Sequence, residues 1–210
     1  TTDYQYTDEI IRNTTTSGTV YKDMNGKKYA ENISQLALAN VDFDMQNRHH
    51  ISYNLMMIHA NTQSVGDYNG KNSIFSDDYE NLGFTRRQQT NDNMLIVNQL
   101  MTNWGLTKSL SLDAGASYNM VKGYEPDRRI NNLTKAEDGY TLLRGNSQQR
   151  YFSTLDEDDL NVKAGLVYRL KDNIEEISNV RFGYTGRFVD DNFKATEYNL
   201  TVGHVSTLPS

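Results

Sequence analysis

The sequence predicts an all-β fold: an antiparallel up-and-down meander of about eight to ten strands, an arc of a transmembrane β-barrel with short turns at one end and long loops at the other. Three observations predict it. Apolar and polar residues alternate with period two along most of the chain. The alternating runs are about ten residues long, the length a tilted strand needs to cross a bilayer. The connections are short and long in turn, which in a meander collects all the short ones at one end.

The clearest strand is LSLDAGASYNMV, residues 110 to 121. One face reads Leu110, Leu112, Ala114, Ala116, Tyr118 and Met120; the other reads Ser111, Asp113, Gly115, Ser117 and Asn119. Leu112, Ala114, Ala116 and Tyr118, with Leu166 and Tyr168 of a later strand, are the expected lipid-facing residues.

The other elements follow in chain order. VYKDMNGKKYA (20–30) places Asn25-Gly26 between two runs, the strongest short hairpin signal, because both turn residues must take positive φ. LALANVDFDM (36–45) sets Ala37, Ala39, Val41, Phe43 and Met45 against Asn40, Asp42 and Asp44, and QNRH turns the chain. HISYNLMMIHA (50–60) returns with Ile51, Tyr53, Leu55 and Met57 on one side and His50, Ser52, Asn54 and Met56 on the other. NDNMLIVNQLMTNWGL (91–106), DLNVKAGLVYRL (159–170) and VRFGYTGRFV (180–189) alternate in the same way, and FKATEYNLTVG continues or adds a strand. IEEIS has the length of one helical turn. Short connections fall near 46–49, 105–109 and 171–179, and long polar ones at about 61–90 and 122–158. Residues 1–210 read as one barrel domain with no plug.

Composition narrows the function. The chain has 210 residues, a net charge of -6 and 37% hydrophobic residues, with a mean hydropathy of -0.72. No run approaches the roughly 18 apolar residues of a spanning helix, yet this does not exclude a barrel, in which only alternate residues meet lipid. No basic stripe supports nucleic-acid binding. The absence of cysteine removes disulfides, thiolate metal sites and thiol catalysis. The start, TTDYQYTDEI, lacks the basic and apolar regions of a signal peptide, and the end, GHVSTLPS, reads as a cut through a longer chain.

Catalytic and metal motifs are not evident. His49 and His50 are adjacent, so a strand sends them to opposite faces; His59 and His204 stand apart. DEDD (156–159), DYNGKN and DMNGKK lack the full ligand spacing of a calcium loop. GYEPDRR (123–129) reads as a turn in which Pro126 sets φ, with its charges exposed in the barrel mouth. No spacing selects a carboxylate pair, phosphate cradle or serine nucleophile, so neither an enzyme nor a cofactor is expected. The long loops carry residues suited to sugars or peptides: Tyr68, Tyr79, Tyr124, Arg128, Arg129, Tyr140, Arg144 and Tyr151.

The run MLIVNQLMTNWGLTKSLSLDAGASYNMVKGYEPDRR (94–129) resembles the barrel portion of TonB-dependent outer-membrane receptors of Bacteroides-like bacteria, and VRFGYTGRFVDDNFKATEYNLTVG (180–203) is similar to another strand pair of those barrels. The resemblance implies a barrel of about 22 strands around an N-terminal plug, located in a Gram-negative outer membrane. Its partners would be the membrane lipid, the plug of the parent chain and, through it, an inner-membrane energy-coupling complex. Its cargo would be a large nutrient such as an iron chelate, a vitamin or a glycan. The plug, the energising box and the aromatic-terminated last strand of that family are not in this sequence. An arc of this kind would have open edges and would self-associate. Two other readings stay open at the level of sequence. One is a soluble β-sandwich carbohydrate-binding module, in which Leu112, Ala114, Leu166 and Phe182 meet a second sheet. The other is a complete small outer-membrane barrel, in which the first and last strands pair.

Overall fold

The computed structural model describes residues 1–45, 48–143, 145–173 and 176–202, and among these every side chain except those of residues 79, 145–147, 171–173, 176–177 and 201–202. Its strands are β1 (Thr2–Thr14), β2 (Val20–Met45), β3 (His49–Asn72), β4 (Leu82–Gly105), β5 (Leu110–Ala136), β6 (Gly139–Leu142), β7 (Gly145–Asn173) and β8 (Glu176–Val202). They form one antiparallel sheet in the order β1-β2-β3-β4-β5-β7-β8, with the short β6 folded back on β5. The predicted meander is therefore present, and FKATEYNLTVG continues β8 up to Val202.

The connections alternate as expected. The chain turns between β2 and β3, β4 and β5, and β7 and β8 at one end, here the lower end. It turns between β1 and β2, β3 and β4, and β5 and β7 at the upper end. The two longest connections share the upper end. They are much shorter than the sequence suggests, because β3 runs to Asn72, β4 starts at Leu82 and β5 runs to Ala136. Most of 61–90 and 122–158 is thus paired strand. Polar composition reads as loop over these stretches, but polar residues on both faces are equally compatible with a ladder standing in water on both sides. With 27 residues, β5 is about 90 Å long at 3.4 Å per residue. The loop expected at 171–179 is likewise strand up to Asn173 and again from Glu176, so the helical turn expected of IEEIS gives way to strand over its described residues.

Asn25-Gly26 is not a turn. It lies inside β2, with Asn25 opposite Ile10 and Asn69, and Gly26 opposite Glu9 and Tyr68. The β1–β2 turn is made at 15–19, where Gly18 takes φ 85 and its N–H donates to the Thr15 carbonyl at 2.9 Å. Gly26 serves a packing need instead. A Cβ on Gly26 or on Gly66 would fall against the Tyr68 ring, which lies flat over both glycines.

That ring belongs to a small core at the upper end. Met24, Tyr68 and Phe75 are buried, with Ile11 and Leu143 packed around them. Phe75 comes from the β3–β4 connection, which folds over the sheet: the Ser73 N–H donates to the Tyr21 carbonyl and the Ser76 N–H to Thr134 Oγ1. The Tyr68 hydroxyl donates to Glu9 Oε2 at 2.6 Å. Elsewhere the strands make extensive contacts only with their ladder neighbours. No second sheet covers the first among the described residues, so the sandwich reading is not met. Nor do β1 and β8 pair, as a complete small barrel would require.

The core generates two predictions. Gly26→Val should cost about 1–3 kcal/mol through forced displacement of Tyr68, read as a lower thermal midpoint. Burial first, and then the hydrogen bond to Glu9, push the Tyr68 hydroxyl up to about 12. The folded chain thus holds this proton more tightly than the unfolded one, whose tyrosines titrate near 10. The resulting stabilisation is complete below about pH 10 and is lost as pH rises toward 12. Tyrosinate absorbance should show a late-titrating component near pH 12 that Tyr68→Phe reduces by one ring.

Candidate membrane surface and the charged wall behind it

Strand geometry sends alternate side chains to opposite faces, and the register carries that pattern across the sheet. On one face, Met45, His49, Trp104, Leu112, Leu166 and Phe182 form a transverse row. Above it lie Phe43, Ile51, Thr102, Ala114, Ala164 and Tyr184, then Val41, Tyr53, Leu100, Ala116, Val162 and Gly186. A further row holds Ala39, Leu55, Asn98, Tyr118, Leu160 and Phe188. All six residues expected to face lipid share this surface, Tyr168 being opposite Leu110 just below the first row.

The rows make an apolar belt that no described part of the chain covers. Phe182 is 82% exposed, Tyr184 65% and Val41 63%. On β5 the belt runs from Leu110 to Met120. At about 3.4 Å per residue and a tilt of about 40°, that is about 26 Å, against about 25 Å for the apolar band of membrane barrels. The one asparagine in these rows is satisfied within them, since Asn98 Oδ1 accepts from the Tyr53 hydroxyl at 2.9 Å. Charges begin at the upper rim, where His59 Nε2 meets Asp92 at 2.6 Å and the Tyr118 hydroxyl donates to Asp158. At the lower rim the Trp104 ring stacks on His49, with centroids 4.1 Å apart.

The opposite face is a polar wall at the same heights. Asp44, His50, Asn103 and Asp113 form one row, and Asp42, Ser52, Met101, Gly115 and Lys163 the next. Many of its charges are paired. His50 sits between Asp44 at 2.8 Å and Asp42 at 3.6 Å, and Arg187 holds Asp159 at 3.0 Å. Higher up, this wall turns apolar: Leu36, Ile58, Leu95 and Val121 form a row, with Leu38, Met56 and Val97 beside it. Alternation alone misses this patch. The unbroken run Met94 to Val97 is its signal, since a strand apolar at every position is apolar on both faces.

GYEPDRR is a bulge inside β5, not a turn. Register shifts against both neighbours, between Gln88 and Asp92 on β4 and between Glu125 and Arg128 on β5. Pro126 occupies the one place in a central strand where its missing N–H is harmless. Asp127 accepts from Arg150 and pairs with Arg129, while Arg128 reaches Glu125 at 3.7 Å and stacks on Tyr151 at 4.2 Å. The Arg150 guanidinium first, then Arg129, hold the Asp127 carboxyl below the usual carboxylate range against the opposing effect of burial.

The expected ligand-contacting residues are not gathered into one place. Tyr68 is core. Arg128 and Tyr151 lie on the polar-wall side, whereas Tyr124 and Arg129 lie on the belt side. Tyr140 stands on β6, its hydroxyl donating to Asn69 at 3.3 Å. Arg144, His204 and the Tyr79 side chain lie outside the described residues. The described residues bring no group of three or more metal-ligating side chains together.

No family model matches the chain, and no curated protein matches it either.

The bulge network has a pH signature. A depressed carboxyl contributes stability that is present above about pH 4 and is lost as pH falls through its folded value. Its arginine partners are partly exposed, so the contribution is about 0.5–1 kcal/mol. Asp127→Asn should lower stability at neutral pH by that amount and flatten the acid limb of the unfolding curve.

Proposed function

We propose that this chain is an arc of the transmembrane barrel of a TonB-dependent outer-membrane receptor. The whole protein would carry a large nutrient such as an iron chelate, a vitamin or a glycan. The belt carries this reading. An apolar surface of bilayer height, crossing six strands and backed by a polar wall, suits a sheet with lipid on one side and water or protein on the other. A soluble protein rarely leaves so large a contiguous apolar surface uncovered.

Three further features support it. The longest connections share one end, as extracellular loops do in membrane barrels. Residues 94–129 resemble the barrel strands of TonB-dependent receptors of Bacteroides-like bacteria. The sheet is open on both sides: from Gln35 to Met45, β2 has no partner on its β1 side, although it lies at belt height. Unpaired backbone is not tolerated in hydrocarbon, so additional strands would complete the barrel. The apolar patch on the polar wall would rest against the plug of the parent chain, through which the inner-membrane energy-coupling complex would act. The role is carriage, not catalysis.

Trp104 is the chain's single tryptophan and stands at the lower rim of the belt. In vesicles, lipids brominated near the carbonyls should quench it more than lipids brominated at the chain ends. In a Trp104→Phe, Leu100→Trp variant the indole moves about 10 Å toward the belt's middle, and the order should reverse. Quenching only by a water-soluble quencher would sink the membrane reading.

A further inference from the structure

At the lower end, on the wall side, the turns border an open cavity of about 400 Å³. Three cations line it: Arg48 from the β2–β3 turn, Lys108 from the β4–β5 turn and Arg169 from β7. The hydroxyl residues Thr107, Ser109 and Ser111 lie between them. Among the described residues, no carboxylate lines the cavity or forms an ion pair with any of the three cations. Asp113 stands one row above Gly105 and Ser111, where it accepts from the Asn103 amide at 3.0 Å.

The backbone holds this arrangement in place. The Gly105 N–H donates to the Arg48 carbonyl at 2.8 Å. A Cβ on Gly105 would meet that carbonyl oxygen at 2.9 Å and Arg48 Nε at 3.6 Å, so the missing side chain is what lets Arg48 lie against the end of β4. The Arg169 N–H donates to the Ser109 carbonyl at 2.8 Å, which ties β7 to the turn that carries Lys108. Within that turn Thr107 Oγ1 accepts from the Ser109 and Leu110 N–H groups, and its own hydrogen remains to be donated.

Charge and geometry select an occupant. The chain is acidic overall, at -6, so three cations around one cavity are a local reversal. Held together they repel one another, and an anion between them relieves all three. A single carboxylate carries one charge and matches one guanidinium fork. A phosphate monoester carries nearly two charges on three terminal oxygens, enough to meet two guanidinium groups, an ammonium and a hydroxyl at once. The cavity is also larger than a phosphate group, which leaves room for the rest of an ester.

We propose that this cavity binds the phosphate group of a phosphate monoester. The proposal uses no part of the membrane reading. It names a chemistry with two sources, a dissolved ester or a lipid headgroup, since Gly105 and Ser111 adjoin Trp104 and Leu112 of the lowest belt row.

The test titrates the full chain, in maltoside micelles, with glycerol phosphate followed by phosphorus NMR. Binding should saturate with a Kd of about 1 mM or less. Arg48→Gln and, independently, Arg169→Gln should each weaken it about tenfold. Lys135→Gln, which removes the same charge at the upper end of β5, should leave it unchanged. Gly105→Ala keeps every charge but crowds the Arg48 backbone, and it too should weaken binding, with the β-sheet circular dichroism retained in all four variants. Absence of saturation by about 10 mM, or an equal loss in Lys135→Gln, overturns the proposal. So does succinate bound as tightly as glycerol phosphate, or an acidic peptide that binds where glycerol phosphate does not. Nanodiscs of phosphatidylcholine with and without phosphatidic acid then separate the sources. Competition by phosphatidic acid supports the lipid form of the proposal; undiminished binding of glycerol phosphate, or a chain that enters no bilayer yet binds it, supports the dissolved ester.

Discussion

Backbone pairing is the constraint on which the rest of this structure depends. β3, β4, β5 and β7 spend nearly all of their N–H and C=O groups on two neighbours, and the chain builds almost nothing besides the ladder. Long uninterrupted ladders fix the register, and the register fixes which side chains stand in a row. The belt and the polar wall are consequences of that alignment rather than of a packed interior. The only buried apolar cluster of any size among the described residues, around Met24, Tyr68 and Phe75, sits at the upper end and ties a connection to the sheet.

This division of labour explains what the sequence reveals and what it conceals. The belt is legible because period-two alternation is local: Leu112, Ala114 and Ala116 announce their common face without reference to any partner. The extent of the strands is not legible, because a ladder hydrated on both faces has no hydropathy signature. Residues 61–72 and 122–136 are as polar as loops and are held extended only by their neighbours. Asn25-Gly26 misleads for the same reason. Its local preference is for a turn, but two flanking strands and the Tyr68 ring impose an extended backbone with no space for a side chain at Gly26. Pro126 reads as a turn residue because the charges around it resemble those of an exposed turn; only the register shifts against both neighbours reveal the bulge.

The two faces differ in how they treat polar groups. On the belt face the few polar side chains are satisfied locally: the Tyr53 hydroxyl donates to Asn98, and Thr102 Oγ1 donates to the His50 carbonyl. On the wall, carboxylates stand beside cations instead: Asp42 and Asp44 flank His50, and Asp159 holds Arg187. The upper rim mixes the two regimes, with Asp127 shared by two arginines at the point where the ladder is interrupted.

The β5 bulge acts as a frameshift in the pleat. Below it, even-numbered residues of β5 point to the belt face; above it, odd-numbered ones do, as Arg129 opposite Gln88 shows. A length change of one residue near Pro126 is therefore taken up locally, because a parity break already exists there. The same deletion between Leu110 and Met120 would present Ser111, Asp113 and Asn119 where the leucines and alanines now stand. The lower half of this chain is accordingly free to vary in residue type but fixed in residue count. The upper half has the opposite freedom, which suits a surface that must diversify while its footing stays the same.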